Sequence, residues 1–278
     1  MTHSTNDEII SYLAMDDGCR IALRTLQAGS SGSSTVLAIH ALAMNGTMWA
    51  DAARVLTPGL RVLALDCRGH GLSDKPKGPY STARFAKDIL NTLDTLQCEK
   101  AVVAGCSMGG TIALTFAGAY PERVAGLSVF DTTAWYGDDA PCRWEQRAQA
   151  ALDGGMKALI GFQLERWFSP EFLAARCNVV DRALAIFLAN DPIAYAETCR
   201  MLGRADERER IGRYKGPALI GVGEHDYATP LAMAEAIAAL MPQARVQVFP
   251  QVRHFTPFEI PDAIGACVQQ IADESRER

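Results

Sequence analysis

Lys100-Ala101-Val102-Val103-Ala104-Gly105-Cys106-Ser107-Met108-Gly109-Gly110 is the stretch that decides the fold of this chain. A β-branched apolar run leads into Gly105, and a small-residue stretch from Gly110 to Tyr120 has the composition of a helix. G-x-S-x-G between a strand and a helix is the pattern that pushes one hydroxyl out above the edge of a sheet. Glycines on both sides of Ser107 permit the sharp backbone turn this requires. The five-residue motif alone recurs by chance and is then only a Gly-rich turn; its position after a strand and before a helix gives it weight.

Outward from Ser107, strand and helix signals alternate. Ile9–Met15 and Arg20–Leu26 flank Asp16-Asp17-Gly18 and read as an antiparallel hairpin. Thr35–Ile39, Arg61–Leu65, Val124–Phe130, Ala218–Val222 and Arg245–Phe249 read as further strands. Helices are expected near Met48–Leu56, from Ser81 (the N-cap, with Phe85, Ile89, Leu93 and Leu96 on one face), from Pro230 to Leu240, and from Asp262. Repeated strand–helix units predict an α/β fold with a mostly parallel, doubly wound sheet. Residues 138–214 break the alternation. Trp144–Leu152, Met156–Trp167, Val179–Leu188 and Ile193–Leu202 carry three- and four-residue apolar spacing, punctuated by Gly154-Gly155, Ser169-Pro170 and Asp191-Pro192. The expected organisation is a core of residues 1–137 and 215–278, with 138–214 inserted as a helical cap that closes over a pocket.

Composition bounds the function. The 278 residues, 49% hydrophobic and 21% charged, suit a globular domain with a sizeable core. A formal net charge of -5 argues against nucleic acid or an anionic membrane surface as partner. Residues 1–8 show no basic and then apolar secretory pattern, and no apolar run approaches the roughly 18 residues needed to span a bilayer. The eight cysteines form no Cys-x-x-Cys pair and read as buried thiols in a reducing, cytoplasmic setting. Gly-x-Gly-x-x-Gly, P-loop and metal-ligand spacings are all missing, so no cofactor and no metal are expected. A homo-oligomer stays open.

A serine hydroxyl needs a base. Of the five histidines, His3 lies in a terminal tail, while His40, His70 and His225 follow strands. His254 follows the last strand by a short loop, at the carboxyl edge of the sheet where Ser107 also lies and where such sheets bind ligands. It is the expected base. The acid that orients it is expected at Asp226, in the order Ser107, Asp226, His254, with Asp131 and Glu224 as competitors. Oxyanion donors are expected from the Met108 amide and from the loop after Thr35–Ile39, where Leu42 is the candidate. The loop Asp66–Ser73 reads as a rigid, internally hydrogen-bonded segment with His70 structural.

These residues resemble the α/β-hydrolase superfamily over nearly the whole chain. The elements that carry the likeness are His40-Ala41, Asp66–Ser73, Gly105–Gly110, Tyr120–Val124, Gly223–Asp226 with Pro230, and His254 with Glu259–Asp262. Within it, Gly105-Cys106-Ser107-Met108-Gly109-Gly110, Asp131–Trp135 and Arg166-Trp167-Phe168 look most like 3-oxoadipate enol-lactonases and their relatives. One departure is Ala41, where most relatives carry Gly. The resemblance implies hydrolysis of a small carboxylic ester or lactone in aromatic-compound catabolism. Carbon–carbon bond hydrolases of meta-cleavage pathways, general carboxylesterases and acyl-homoserine lactonases remain alternatives, with a non-catalytic receptor behind them. Ser at position 107 sets aside relatives that use an Asp nucleophile. Trp135, Met156, Arg166 and Trp167 are the candidate substrate-binding residues, and Arg143, Arg147, Arg166 and Arg200 the candidate cations if the substrate is a carboxylate.

Overall fold

The computed structural model describes residues 9–30 and 32–277, with only the backbone at 162 and 177. His3 and the rest of the first eight residues lie outside that description. Eight strands form one sheet: β1 (Ile9–Ala14), β2 (Arg20–Gln27), β3 (Thr35–Ile39), β4 (Arg61–Leu65), β5 (Ala101–Cys106), β6 (Val124–Phe130), β7 (Ala218–Gly223) and β8 (Ala244–Phe249). Their order is β1-β2-β4-β3-β5-β6-β7-β8. β2 pairs antiparallel with both β1 and β4, and every pairing from β4 to β8 is parallel. β3, β5 and β7 are buried along their whole length, as strands covered on both faces must be.

Register brings the chemistry to one edge. Ile39 lies beside Gly105, Cys106 beside Phe130, and Gly223 beside Phe249. The loops that leave β3, β5, β6, β7 and β8 therefore open on the same side. One of the helices beside the sheet starts from a clear local signal. Thr82–Thr95 is capped by Ser81, whose hydroxyl accepts the Arg84 amide, an arrangement worth about 1 kcal/mol. Its buried face carries Phe85, Ile89 and Leu93.

Between β6 and β7 the described residues form helices and a single isolated bridge, Trp135 to Asp206. The longest are Ala140–Gly154, Cys177–Leu188 and Pro192–Gly203. One expectation changes here. Met156–Trp167 is a 3-10 segment, Met156–Phe162, followed by a short α-helix, Leu164–Trp167. Apolar residues three apart suit both helix types, and the Gln163 amide bonds Ile160, three residues back, at the join. Pro170–Ala175 is a further helix, capped by Ser169. No helix among the described residues is long and apolar enough to cross a membrane.

Candidate active site

The turn at Ser107 follows from its neighbours. Ser107 sits at φ 54°, ψ -118°, between β5 and the helix Met108–Ala119. That is an uncommon and strained conformation for a residue with a Cβ. The Ser107 amide donates to the Phe130 carbonyl at 2.8 Å, and the Thr132 hydroxyl donates to the Ser107 carbonyl at 2.7 Å. A side chain at Gly105 would meet the Gly109 carbonyl, and one at Gly109 would meet the Ile39 carbonyl. The glycines are thus required by close backbone approach.

Three side chains from three loops stand in a row. His254 Nε2 lies 2.9 Å from Ser107 Oγ, and His254 Nδ1 lies 2.8 Å from Asp226 Oδ2. With Nδ1–H donating to the carboxylate, Nε2 presents a lone pair to the serine hydroxyl. Asp226 is built into its own turn. Its Oδ1 accepts the Ala228 and Thr229 amides at 2.7 and 3.0 Å, and Oδ2 accepts the Thr229 hydroxyl at 2.7 Å. Burial acts to raise this carboxyl, but the His254 charge and these donors outweigh it and hold it below the ordinary carboxylate value. Asp131, the competing acid, is fully buried and hydrogen-bonds Gly223 and Thr256 instead of the imidazole. Glu224 faces the Gln251 amide. Phe255 stacks on His254 at 5.6 Å between centroids, and Trp167 stacks on Phe255 at 4.9 Å.

The loop after β3 is fixed by His40. Its Nδ1–H donates to the Ala41 carbonyl at 2.7 Å, and its Nε2 accepts the Cys67 amide at 2.9 Å, tying this loop to the one after β4. Ala41 is absent from the residues with positive φ, so its Cβ adds no backbone strain. Leu42 lies on the loop beside Ser107, and the Met108 amide is in the first helical turn, where N–H groups have no intrahelical acceptor. The loop Asp66–Ser73 is locked as expected: Asp66 accepts Arg24 Nε, Arg24 Nη2 and the Gly46 and Leu72 amides, and the Ser73 hydroxyl donates to the Asp66 carbonyl.

His70 lies in that loop, 5.1 Å from His40 between ring centroids. Burial, with the His40 charge as the second cause, pulls its imidazole down to about 3. The unfolded chain binds a proton there near the ordinary histidine value of about 6.5. Between these values the unfolded state holds more protons, so stability rises with pH and is lost as pH falls. Urea unfolding should show a loss of ~2 kcal/mol from pH 7 to pH 5 attributable to His70. His70→Gln should decline less steeply over the same range; an equal decline would remove His70 from the account.

A cavity of about 380 Å³ opens over Ser107 and His254. Of the four candidate substrate-binding residues, Arg166 and Trp167 line it; Trp135 and Met156 do not. The Trp135 ring lies under the Arg208 guanidinium at 3.7 Å, and its backbone bridges to Asp206. Met156 is packed in the core, while Leu159 of the same 3-10 segment takes the wall. Of the other arginines, Arg143 and Arg147 line the cavity, whereas Arg200 is held by Glu145 and Glu197. Arg143 is paired with Asp139. Arg147 Nε donates to the Tyr195 hydroxyl at 2.5 Å, its guanidinium lies over the Trp144 and Tyr195 rings, and no carboxylate pairs with it among the described residues. Burial and then the Arg147 charge pull the Arg166 guanidinium below its usual value. Gln163, 2% exposed, lines the same wall with an amide nitrogen that has no partner among the described residues. No Asp or Glu is among the described lining residues.

Sequence reading missed Gln163, Tyr136 and Thr229 at this site. Thr229 carried a signal: Asp226-Tyr227-Ala228-Thr229 before Pro230 is the spacing of an Asx turn that enters a helix. Gln163 and Tyr136 carried none.

Residues 34–261 match the family described as alpha/beta hydrolase fold. The chain is 27% identical over 251 residues to "3-oxoadipate enol-lactonase 2" of Acinetobacter baylyi, covering 90% of this chain and 93% of that protein. It is 30% identical over 209 residues to "3-oxoadipate enol-lactonase 1" of the same organism, covering 74% and 77%. The solved enol-lactonase of Burkholderia xenovorans LB400 superposes with a TM-score of 0.89 at 30% identity, over 95% of this chain and 100% of that one. Sheet order, the strained serine turn and these matches converge: the chain belongs to the α/β-hydrolase fold family.

Proposed function

We propose that this protein is a serine hydrolase that cleaves a small carboxylic ester or lactone bearing a negative charge. The observation that carries the reading is the Ser107–His254–Asp226 row opening into a cavity whose wall holds Arg143, Arg147 and Arg166 and no described acid. Ser107 Oγ attacks the carbonyl carbon while its proton passes to His254 Nε2, and Asp226 stabilises the imidazolium. The Leu42 and Met108 amides receive the oxyanion; one such donor is typically worth about 3 kcal/mol of barrier. On collapse the ester C–O bond breaks and the leaving oxygen takes the proton from His254. In a lactone that oxygen stays on the same molecule. Water, deprotonated by His254, then attacks the acyl-serine; the acyl–Oγ bond breaks, Ser107 Oγ takes the proton back from His254, and the acid is freed. Residues 138–214 serve as the cap, since they supply Arg143, Arg147, Gln163, Arg166 and Trp167 to the cavity wall.

The enol-lactonase likeness makes 3-oxoadipate enol-lactone, a lactone with a free carboxylate, the first substrate to try; a cytoplasmic place in aromatic-compound catabolism goes with that choice. Arg147, without a carboxylate partner among the described residues, is suited to take the substrate carboxylate, since charge-assisted hydrogen bonds are worth roughly 1.5–3 kcal/mol. A panel of that lactone, an acyl-homoserine lactone, a meta-cleavage dienoate, a neutral p-nitrophenyl ester and its carboxylate-bearing counterpart tests the reading. Carboxylate-bearing esters or lactones should be turned over best. Arg147→Met should raise their KM by about 10- to 100-fold and change the neutral ester by less than threefold. Turnover of the dienoate alone would replace the reading with carbon–carbon bond hydrolysis.

A further inference from the structure

Asp131 is a buried carboxyl reached by the Gly223 amide and by the Thr256 amide and hydroxyl. It follows β6 at φ 49°, is 0% exposed and is not among the residues lining the cavity. Its Oδ1 accepts the Gly223 amide at 3.0 Å. Its Oδ2 accepts the Thr256 amide at 3.1 Å and the Thr256 hydroxyl at 2.6 Å, with the Cys106 thiol at 3.9 Å. Gly223 ends β7 three residues before Asp226, and its carbonyl accepts the Asp226 amide at 3.0 Å. Thr256 stands two residues after His254 and begins the short helix Thr256–Glu259. A single carboxyl therefore joins the root of the loop that carries the acid to the root of the segment that carries the base.

No Lys, Arg or His side chain is among the hydrogen-bond or ion-pair partners of Asp131 in the described residues. Burial, and then the Asp226 charge, push its carboxyl well above the ordinary carboxylate value. Keeping such a group in the core is unfavourable for stability. An apolar residue would fill the space without that cost, yet would leave the Gly223 and Thr256 amides without acceptors.

We infer that Asp131 is a positioning residue for hydrolysis: it fixes the acid-bearing and base-bearing loops to each other and so aims His254 Nε2 at Ser107. This rests on the Ser107–His254–Asp226 reading given above. Reactive groups must be held to within about 1 Å, since a misplacement of that size can cost about a hundredfold in rate. The loops themselves come from strands at the far end of the chain, and Asp131 reaches both from 92 and 125 residues away.

Three variants test it. In Asp131→Asn the amide offers one oxygen and one NH2, so one of the two loop roots faces a donor with a donor. Thr256→Val removes the hydroxyl arm alone, and Thr256→Ser keeps it. Asp131→Asn and Thr256→Val are each expected to lower kcat on a p-nitrophenyl ester by about 10- to 100-fold with KM within twofold. Thr256→Ser is expected within threefold of the parent. The low-field proton resonance of His254 Nδ1–H, which reports the bond to Asp226, is expected to move or broaden in the first two variants and not in the third. If Asp131→Asn does not fold, Thr256→Val and Thr256→Ser carry the comparison. Folded variants with parental kcat and an unmoved resonance would overturn the positioning role, as would Thr256→Ser failing as badly as Thr256→Val. Ser107→Ala, measured alongside, separates the two claims. If it is inactive while Asp131→Asn keeps parental kcat, only the positioning role falls; if it stays active, the serine reading itself falls.

Discussion

Ser107→Ala is expected to lower kcat on any ester or lactone substrate by a factor on the order of 10⁵ to 10⁶ while the protein stays folded. The magnitude follows from losing the covalent route altogether. On the proposed mechanism no acyl intermediate then forms, and His254 loses the hydroxyl that lies 2.9 Å from its Nε2. The residual rate over water should reflect the pocket and the oxyanion donors, which in serine hydrolases retain about 10³- to 10⁴-fold by themselves. Substrate binding should survive, because the arginines of the wall remain. Steady-state kinetics with a binding measurement on the same variant checks both halves. Turnover within tenfold of the parent would exclude Ser107 as nucleophile. The substitution also replaces one residue with a Cβ by another at φ 54°, so it should leave the strain of the turn, and hence thermal stability, nearly unchanged.

Asp226→Asn is expected to cost on the order of 10⁴ in kcat. Asp226 accepts from four donors: the Ala228 and Thr229 amides, the Thr229 hydroxyl and the imidazole Nδ1–H. An amide in that place keeps one accepting oxygen, which the Ala228 and Thr229 amides claim. Its NH2 then faces Nδ1 and favours the tautomer that carries the proton on Nε2, where it cannot receive the serine proton. The loss should appear in kcat with little change in KM, because Asp226 does not line the cavity. Comparison with Asp131→Asn ranks the two carboxyls. A larger loss at position 131 would transfer the acid role there.

Much of the fold was legible because the signals are local. Thr35–Ile39, Arg61–Leu65 and Val124–Phe130 have the same bounds in the sequence reading and in the structure. Each is a short apolar run bounded by polar or turn residues, which a buried parallel strand requires. Ser81 marked its helix through a cap that involves only the next three residues. The exception is residues 156–167: they satisfy helical spacing, but spacing does not distinguish 3-10 from α turns, and the segment follows Gly155 at φ 66°.

The candidate site divides along the same physical line. Adjacent residues already specify the strained serine turn, the doubly wound sheet, and the strand-end positions of Asp131, Asp226 and His254, because turn chemistry and periodicity are local. Which carboxyl meets the imidazole is fixed by packing alone, since His254 finds Ser107 across 147 residues and Asp226 across 28. The folded chain sets these contacts. It also separated arginines that look alike in sequence, placing Arg147 on the cavity wall without a carboxylate among the described residues and Arg200 between Glu145 and Glu197. It removed Trp135 to the Arg208 stack and Met156 to the core. Such partnerships depend on distances between elements that are brought together only by packing. A charge or a ring carries no local mark of the neighbour it will have.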